Sequence, residues 1–553
     1  MTDHWDSIVD VLVAGSGAAG LTAAIAAADR GLDALVVEST PRWGGTTSVS
    51  GGGLWMPANP LMLRAGVRDS AEEALRYMDE VIGEAGPASS PERRKAYVRT
   101  APEVVAFLGR LGVRWRRSPD YPDYYPDRPG GKVGRAIEVA PFDTKLLGAW
   151  YDRARSKESG IPLPLMTDDV WLLSRAWSTP SGFVRGARFV FRTLGQYAGG
   201  RRPTGIGGSL AASLMHIVRT QQTPVWLSTP IVDLIIEDGA VVGAVVERDG
   251  RARRIRARHG VVLAAGGFAN NGEWRRRHHG IPGYSSAPEG DLGTVIAMGA
   301  KAGGALALMD DAWWGASLLG PDGEPRFLVA ERSLPFSIMV NARGERFTNE
   351  SASYIDVGHD MLKHGEAGPM WMITDVRHAR RYLNTAVAGQ AKKWRRAGLL
   401  AEAPTVEALA AEIGVDPVRL AATVERFNGF ARTGVDPDFG RGRTVYDNYY
   451  GDPRVKPNPN LGPLEKGPFR AFRVHPGDLG TKGGLLTDEH ARVLREDGGV
   501  IPGLYAAGNT TASVMGRTYP GPGSTIGPAV VFGYRAARHA ARHAARHAAG
   551  EPA

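Results

Sequence analysis

A short apolar strand that breaks into G-x-G-x-x-G, an acid that closes the next strand, and two later strands ending in glycine turns together predict an α/β fold. Its main part is a Rossmann-type dinucleotide-binding domain, and a long stretch of different character predicts an inserted α+β domain. Val11, Leu12, Val13 and Ala14 form the first strand, and the turn Gly15, Ser16, Gly17, Ala18, Ala19, Gly20 opens an alanine-rich helical run. The glycines let a pyrophosphate approach the backbone at a helix N-terminus, where unsatisfied N–H groups favour an anion. Leu35, Val36 and Val37 form the second strand, and Glu38, followed by Ser39, is placed to accept hydrogen bonds from a ribose.

A second small-residue loop follows the acid, containing Gly45, Thr46, Thr47, Ser50, Gly51 and Gly52. Pyridine-nucleotide domains do not need it. It resembles the segment that lies along the flavin in FAD enzymes of the fumarate reductase and ketosteroid dehydrogenase superfamily. Two further strand-turn units fit the same reading, one ending in Ala265 and Gly266 and one in Gly508 and Asn509. Residues 225–236 and 241–246 read as a small antiparallel layer. The segment 150–205, with Trp171, Trp177 and several Arg, shows no clear pattern and is assigned as a cover of the site. Residues 1–282 and 476–553 are expected to form the FAD domain, with the insert at 283–475 and helices near 405–413 and 417–430.

The last glycine turn, residues 516–528, runs into a helix expected at 529–549. It places the Tyr519 phenol beside the backbone N–H groups of the turn, a geometry suited to holding a developing oxyanion, and Ser524, Thr525 and Ile526, which follow Gly523, are assigned to cofactor binding. The repeat Arg538, His539, Arg542, His543, Arg546, His547 predicts one basic, solvated stripe on that helix.

The chain has 553 residues, too many for one core, and no cysteine, which excludes disulfides, cysteine metal ligands and a cysteinyl flavin link. No His lies in the loop after Glu38, so FAD is expected to be noncovalent, and no metal is expected. The net charge of +9 comes from scattered arginines without an aromatic-interleaved array, so nucleic acid is not an expected partner. Asp3, Asp6 and Asp10 stand where a signal sequence needs basic residues, and no stretch is long and apolar enough to span a membrane; a cytoplasmic protein is expected. A second G-x-G-x-x-G after a strand is missing, so the electrons are expected to go to a quinone, a carrier protein or oxygen.

Over residues 8–537 the chain resembles the 3-ketosteroid Δ1-dehydrogenases. The motifs that carry the likeness are Tyr121 Pro122 Asp123 Tyr124 Tyr125 Pro126; Asp310 Asp311 Ala312 Trp313 Trp314; Arg346 Phe347 Thr348 Asn349 Glu350 with Tyr354; Tyr450 with Asn458 Pro459 Asn460; Asp478 to Gly484; and Thr518 Tyr519 Pro520 Gly521 Pro522 Gly523. The resemblance implies a trans elimination of two hydrogens from ring A of a 3-oxosteroid. In it Tyr354 takes the carbon 2 proton, Tyr124 hydrogen-bonds to Tyr354, and Tyr519 with the Gly523 N–H holds the carbon 3 oxygen. The carbon 1 hydride goes to flavin N5. It also implies an adenine contact at Val232. Tyr124 is assigned rather than Tyr125 because it follows Pro122 and Asp123. From the residues alone, a tyrosine base needs its pKa lowered by partners or a phenolate used transiently. Trp313 and Trp314 suit either a sterol-sized pocket or the core, and the Asp478 loop suits either a flavin contact or a structural turn.

Three alternatives stand beside this reading. A 3-oxo-5α-steroid 4-dehydrogenase carries a Ser where this chain has Gly521. A fumarate reductase needs Arg and His to clamp a dicarboxylate, and a flavin carrier without turnover needs no oxyanion site.

Overall fold

The computed structural model describes residues 4–159, 163–173, 175–176, 178–365, 368–383, 387 and 390–548. At its centre is a six-stranded sheet in the order Arg492–Leu494, Val500–Ala506, Val261–Leu263, Val11–Ala14, Ala34–Val37, Val225–Trp226. Neighbours are parallel except at the Arg492–Leu494 edge. The inner strands are apolar throughout because both of their faces are covered. One covering helix is Ala18–Ala28, whose alanines lie almost wholly buried beneath the C-terminal helix Ile526–Ala548. Small side chains are required there: a Cβ on Gly533 would stand 2.3 Å from the Ala19 carbonyl oxygen.

The expected antiparallel layer is present, with one change. Val225–Trp226 joins the main sheet, and the chain breaks at Pro230 before Ile231–Glu237 pairs with Ala240–Arg248, at the edge of a layer that continues through Arg251–Ala257 to Ser7–Val9. Proline has no N–H to donate to a ladder, so the strand divides there.

The insert is built on strands ordered Pro325–Phe327, Ala312–Leu319, Phe469–Thr481, Met370–Thr374, Ser337–Val340. Phe469–Thr481 runs across the boundary expected at 475/476. Its first half pairs with Met370–Thr374 and its second half with Ala312–Leu319, so ladder bonds hold it to the insert's sheet as far as residue 481. Helices Val406–Ile413 and Pro417–Thr433 form where expected, capped by Thr405 and Asp416.

The patternless segment folds into helices Thr167–Leu173 and Pro180–Ala198; Trp177 lies outside the described residues. Among the described residues no helix is long and apolar enough to cross a membrane.

The C-terminal helix starts at Ile526, three residues earlier than expected, and its basic stripe is only partly solvated. Ala536, Ala537 and Ala540 are buried, Arg535 donates to Thr100 Oγ1 at 2.7 Å, and the Tyr505 hydroxyl meets His539 Nδ1 at 2.9 Å. The first turns of the repeat therefore dock on the flavin domain, because alanines interrupt the charges at helical spacing and supply an apolar underside.

Candidate active site

The glycine turns that lie hundreds of residues apart in sequence meet in one cradle. A Cβ on Gly15, at φ +103°, would come within 2.4 Å of the Ala264 oxygen and 2.8 Å of Ala265 Cα, so the first and third turns touch backbone to backbone. A Cβ on Gly20 would lie 2.0 Å from the Gly15 oxygen, which fixes glycine there as well. Ser16 donates from both N and Oγ to Glu38 Oε2, at 3.1 and 2.6 Å, and tethers the acid to the turn it must serve. Ser39 leans on the same carboxylate at 3.4 Å. Ala18 N–H donates to Thr47 Oγ1 at 3.0 Å, joining the helix start, where Ala19 lies buried, to the one-turn helix Thr46–Val49. Ser50 Oγ accepts from Gly52 N–H at 3.1 Å, and Thr510 Oγ1 donates to the Gly266 oxygen at 2.8 Å. Val232, partly exposed, occupies the register break between Ile231 and Asp233 on the outer layer.

Gly17 tests whether this cradle suits a dinucleotide. Its φ is −73°, open to any residue, and a Cβ there would meet only Thr47 Oγ1 at 3.7 Å. At Gly51 a Cβ would meet nothing within 4 Å. Folding asks for no glycine at either position. What a side chain on Gly17 would fill is the trough beside the helix start, the space a pyrophosphate needs. Near the trough lies a small cleft lined by Trp313, Gly508, Asn509, Ser524 and Thr525.

Beside it stands a cage of buried aromatic rings. Tyr354 lies 4.8 Å from Tyr519 and 5.5 Å from Tyr124 between ring centroids, and Tyr124 stacks on Tyr519 at 5.1 Å. Phe327, at 5.3 Å from Tyr354, and Tyr446, at 4.4 Å from Tyr124, complete the walls. The strand Ala312–Leu319 sends alternate residues to opposite faces. Trp313 therefore meets Tyr519 edge-on at 5.3 Å, while Trp314 packs under Arg275 in the core.

Tyr124 and Tyr125 separate: Tyr125 sends its hydroxyl to Asp356 at 3.0 Å, away from the cage. The expected hydrogen bond from Tyr124 to Tyr354 is corrected by the structure. The two rings meet edge to face, the Tyr124 hydroxyl lies 3.4 Å from that of Tyr121, and Tyr354 pairs instead with Tyr519. The Tyr124 backbone is fixed by donation from its N–H to the Pro520 oxygen at 2.9 Å, which the Tyr77 hydroxyl also grips at 2.6 Å.

Several motifs that pointed to chemistry turn out to hold the cage in place. Asp123 lies in a buried pair with Arg135 at 2.6 Å. Glu350 takes Arg346 at 2.7 Å and Arg441 at 3.1 Å directly before the helix Tyr354–Gly365. Asp478 pairs with Arg275 at 2.8 Å and is a structural residue. Sequence reasoning missed the role of Lys482. Its ammonium donates to the Gly516 and Thr518 oxygens at 2.9 and 2.8 Å and so pins the turn that carries Tyr519. Phe327 and Tyr446 were missed too, and neither belongs to a periodic pattern or a motif that could have marked it.

Electrostatics separates the three phenols. Burial drives the Tyr354 and Tyr124 hydroxyls well above the ordinary tyrosine value. The lowered pKa that would make Tyr354 a resting phenolate is not found. Burial raises Tyr519 as well, but Thr525 Oγ1, at 3.2 Å, Tyr354, and the N–H groups of Gly523 and Thr525 all oppose it. Negative charge on oxygen is thus best tolerated at the mouth of the C-terminal helix. Burial lowers Lys482 to about 8 despite Asp311 nearby.

Gly523, at φ +93°, closes the arrangement: a Cβ there would lie 2.3 Å from the Gly53 oxygen, so the cage turn and the cradle loop are in direct contact. Among the described residues no His, Asp and Glu cluster could hold a metal.

Comparison with known proteins agrees with this geometry. The FAD binding domain family matches residues 10–526. The 3-oxosteroid 1-dehydrogenase of Mycolicibacterium smegmatis is 42% identical over 96% of both chains. The 4-oxocyclohex-2-ene-1-carboxylate 5-dehydrogenase of Sinomonas cyclohexanicum is 37% identical, over 96% of this chain and 93% of its own. The crystal structure of 3-ketosteroid Δ1-dehydrogenase from Sterolibacterium denitrificans in complex with 1,4-androstadiene-3,17-dione superposes with a TM-score of 0.90 at 38% identity, covering 97% of this chain and 100% of that one. With the cradle shaped for a dinucleotide and the cage formed beside it, the chain belongs to the FAD-binding oxidoreductases of the 3-oxosteroid 1-dehydrogenase family.

Proposed function

We propose that this enzyme removes the hydrogens from carbons 1 and 2 of 3-ketosteroids. The observation that carries the reading is the convergence of Tyr354, Tyr124 and Tyr519 on a helix mouth that touches the flavin loop through Gly523. The Tyr519 hydroxyl and the Gly523 N–H hold the carbon 3 oxygen and stabilise the charge that develops on it. Tyr354 takes the carbon 2 proton. Tyr124 sets the Tyr354 ring by edge contact. FAD, which Gly15, Gly17, Glu38 and Thr47 would hold noncovalently, would supply the acceptor for the carbon 1 hydride, with a quinone, a carrier protein or oxygen as the final electron acceptor.

Because burial keeps the Tyr354 phenol protonated, the basic form is a minor species at neutral pH. A base with a raised pKa gains its active form as pH rises, so kcat/KM is expected to climb steadily from neutral into alkaline solution. A flat profile over that range would remove Tyr354 from the role.

Attack at carbons 4 and 5 fits the turn less well. The Ser carried by 4-dehydrogenases has no room at Gly521, where a Cβ would lie 2.3 Å from the Trp55 ring. The cyclohexane acid relative raises a second reading, a monocyclic keto acid. The cation beside Trp313 is Lys482, and its protons are already given to Gly516 and Thr518, which favours a neutral substrate. The test is anaerobic bleaching of the bound flavin by 4-androstene-3,17-dione, by a 5α-reduced 3-ketosteroid and by 4-oxocyclohexanecarboxylate, with each product identified by mass. Bleaching by the first with a 1,4-dien-3-one product is expected; bleaching by the keto acid alone would overturn the steroid assignment.

A further inference from the structure

The base and the oxyanion donor come from distant parts of the chain. Tyr354 opens the helix Tyr354–Gly365 of the insert, and Tyr519 stands on the glycine turn that leads into the C-terminal helix Ile526–Ala548. Their spacing is therefore a tertiary property, and two ties set it. The first acts at the start of the Tyr354 helix: Asp356 accepts from the Tyr125 hydroxyl at 3.0 Å, and the neighbouring Tyr124 N–H donates to the Pro520 oxygen at 2.9 Å. The second lies one turn further along. His359 Nε2 meets Asp311 Oδ1 at 2.9 Å, Asp311 Oδ2 stands 3.7 Å from Lys482 Nζ, and Lys482 grips the Gly516 and Thr518 oxygens at 2.9 and 2.8 Å.

The second tie is built to carry position. Asp311 and Lys482 are buried, so each charge depends on the other for its partner. Their backbones are joined too, since the Lys482 N–H donates to the Asp311 oxygen at 3.0 Å. Burial would raise the Asp311 carboxyl, yet Lys482 and His359 hold it below the usual value. An ionised carboxylate only accepts, so the proton between Asp311 and His359 belongs to His359 Nε2. Arg517, between the two residues whose carbonyls Lys482 holds, pairs with Asp310, next to Asp311, at 2.9 Å. That exposed pair joins the same two segments and adds little by itself. The helix touches the strand Ala312–Leu319 at Gly358, where a Cβ would stand 2.4 Å from Trp314 Cβ. A bare contact of this kind lets a helix roll about its axis, and two ties one turn apart remove that freedom.

We propose that His359, Asp311 and Lys482 form a positioning bridge that holds the Tyr354 base at its working distance from the Tyr519 oxyanion donor. The inference rests on the roles given to Tyr354 and Tyr519 above, and the three residues act through those two tyrosines. Such a bridge matters to rate because a misplacement of about 1 Å at the reacting groups costs roughly a hundredfold.

The test is the rate of anaerobic flavin reduction by 4-androstene-3,17-dione, or by 4-oxocyclohexanecarboxylate should that be the ketone that bleaches wild type. It is read with KM, FAD content and melting temperature in wild type, His359→Leu, His359→Gln, Asp311→Asn and Tyr354→Phe. His359→Leu is expected to slow reduction by about tenfold or more, within the range that a misplacement of about 1 Å costs, while the other three quantities stay near wild type. His359→Gln, whose amide can still donate to Asp311, is expected to restore most of the rate. Asp311→Asn keeps the shape and removes the charge facing Lys482; it is expected to be slowed as well, and it carries the test if His359→Leu does not fold. With Tyr354→Phe slow, wild-type rates in His359→Leu and Asp311→Asn would overturn the bridge alone. A fast Tyr354→Phe would overturn the catalytic reading and the bridge with it. A slow His359→Leu that also loses FAD or melting temperature, and that His359→Gln does not rescue, would assign the contact to folding and overturn the positioning role.

Discussion

The nucleotide cradle and the tyrosine cage touch at Gly523, yet they are built by opposite means. The cradle is made of backbone: each part is a continuous turn, and its chemistry comes from N–H groups, from missing Cβ atoms and from Glu38, which Ser16 restrains from the same turn. The cage is made of side chains from four separate stretches around Tyr124, Phe327, Tyr354 and Tyr519, with Tyr446 from a fifth. A backbone site is written in local sequence because a turn imposes its own residues. A side-chain site is held from outside, by Arg135 with Asp123, by Arg346 and Arg441 with Glu350, and by Lys482 with Gly516 and Thr518. The two sites should therefore fail differently when altered.

The largest effect is expected in the cage. Tyr354→Phe keeps the ring and removes the hydroxyl; turnover should fall by roughly 10²–10⁴, the range for a positioned acid–base group, with flavin content intact. Turnover within a few-fold of wild type would show that the base lies elsewhere.

Next comes the shared boundary. Gly523→Ala must push the Gly53 carbonyl away and adopt a positive φ, so both regions should suffer. Loss of a correctly placed oxyanion donor predicts a drop in kcat of roughly 10²–10³, here joined by weaker FAD retention. If retention were unchanged, the contact between cradle and cage would be incidental.

The cradle itself gives a smaller and cleaner prediction. Gly17→Ala meets only Thr47 Oγ1 at 3.7 Å, so the apoprotein should keep its melting temperature while FAD affinity falls by about tenfold, an effect of roughly 1.4 kcal/mol. A loss of apoprotein stability would mean that the glycine serves the fold.

The support of the cage should show itself in acid. Burial would raise the Glu350 carboxyl, but Arg346 and Arg441 override this and hold it at about 2. A folded pKa below the unfolded value contributes stability that is fully present above about pH 5 and is lost as pH falls toward 2. On the order of 3 kcal/mol is at stake, since each tenfold change in proton affinity is worth about 1.4 kcal/mol. Acid unfolding followed by tyrosine fluorescence should move to higher pH in Arg441→Met; an unchanged midpoint would remove this pair from the account.

The contrast explains what could be read in advance. The strands, the glycine turns and the helices 405–413 and 417–430 were legible because periodicity, caps and breakers act over a few residues. The position of Tyr519 on a turn that opens a helix was legible for the same reason. The motif around Glu350 looked chemical and proved to be a brace, since an Arg and a Glu four residues apart read the same whether they face substrate or core. The helix Pro180–Ala198 showed no clear pattern, because an apolar face turned outward cannot be told from one turned inward by spacing alone. Its orientation depends on Asp169, which is buried and draws Arg185 and Arg192 inward.

By itself, then, the sequence determined the dinucleotide fold and the family, both properties of contiguous backbone and of motif order. Tertiary structure alone decided which tyrosine faces Tyr354, that Trp313 lines the site while Trp314 does not, and that Lys482 anchors the Tyr519 turn. The reason is physical. A side chain's role depends on which neighbours bury it, and those neighbours come from segments whose meeting is fixed only when both sheets have formed.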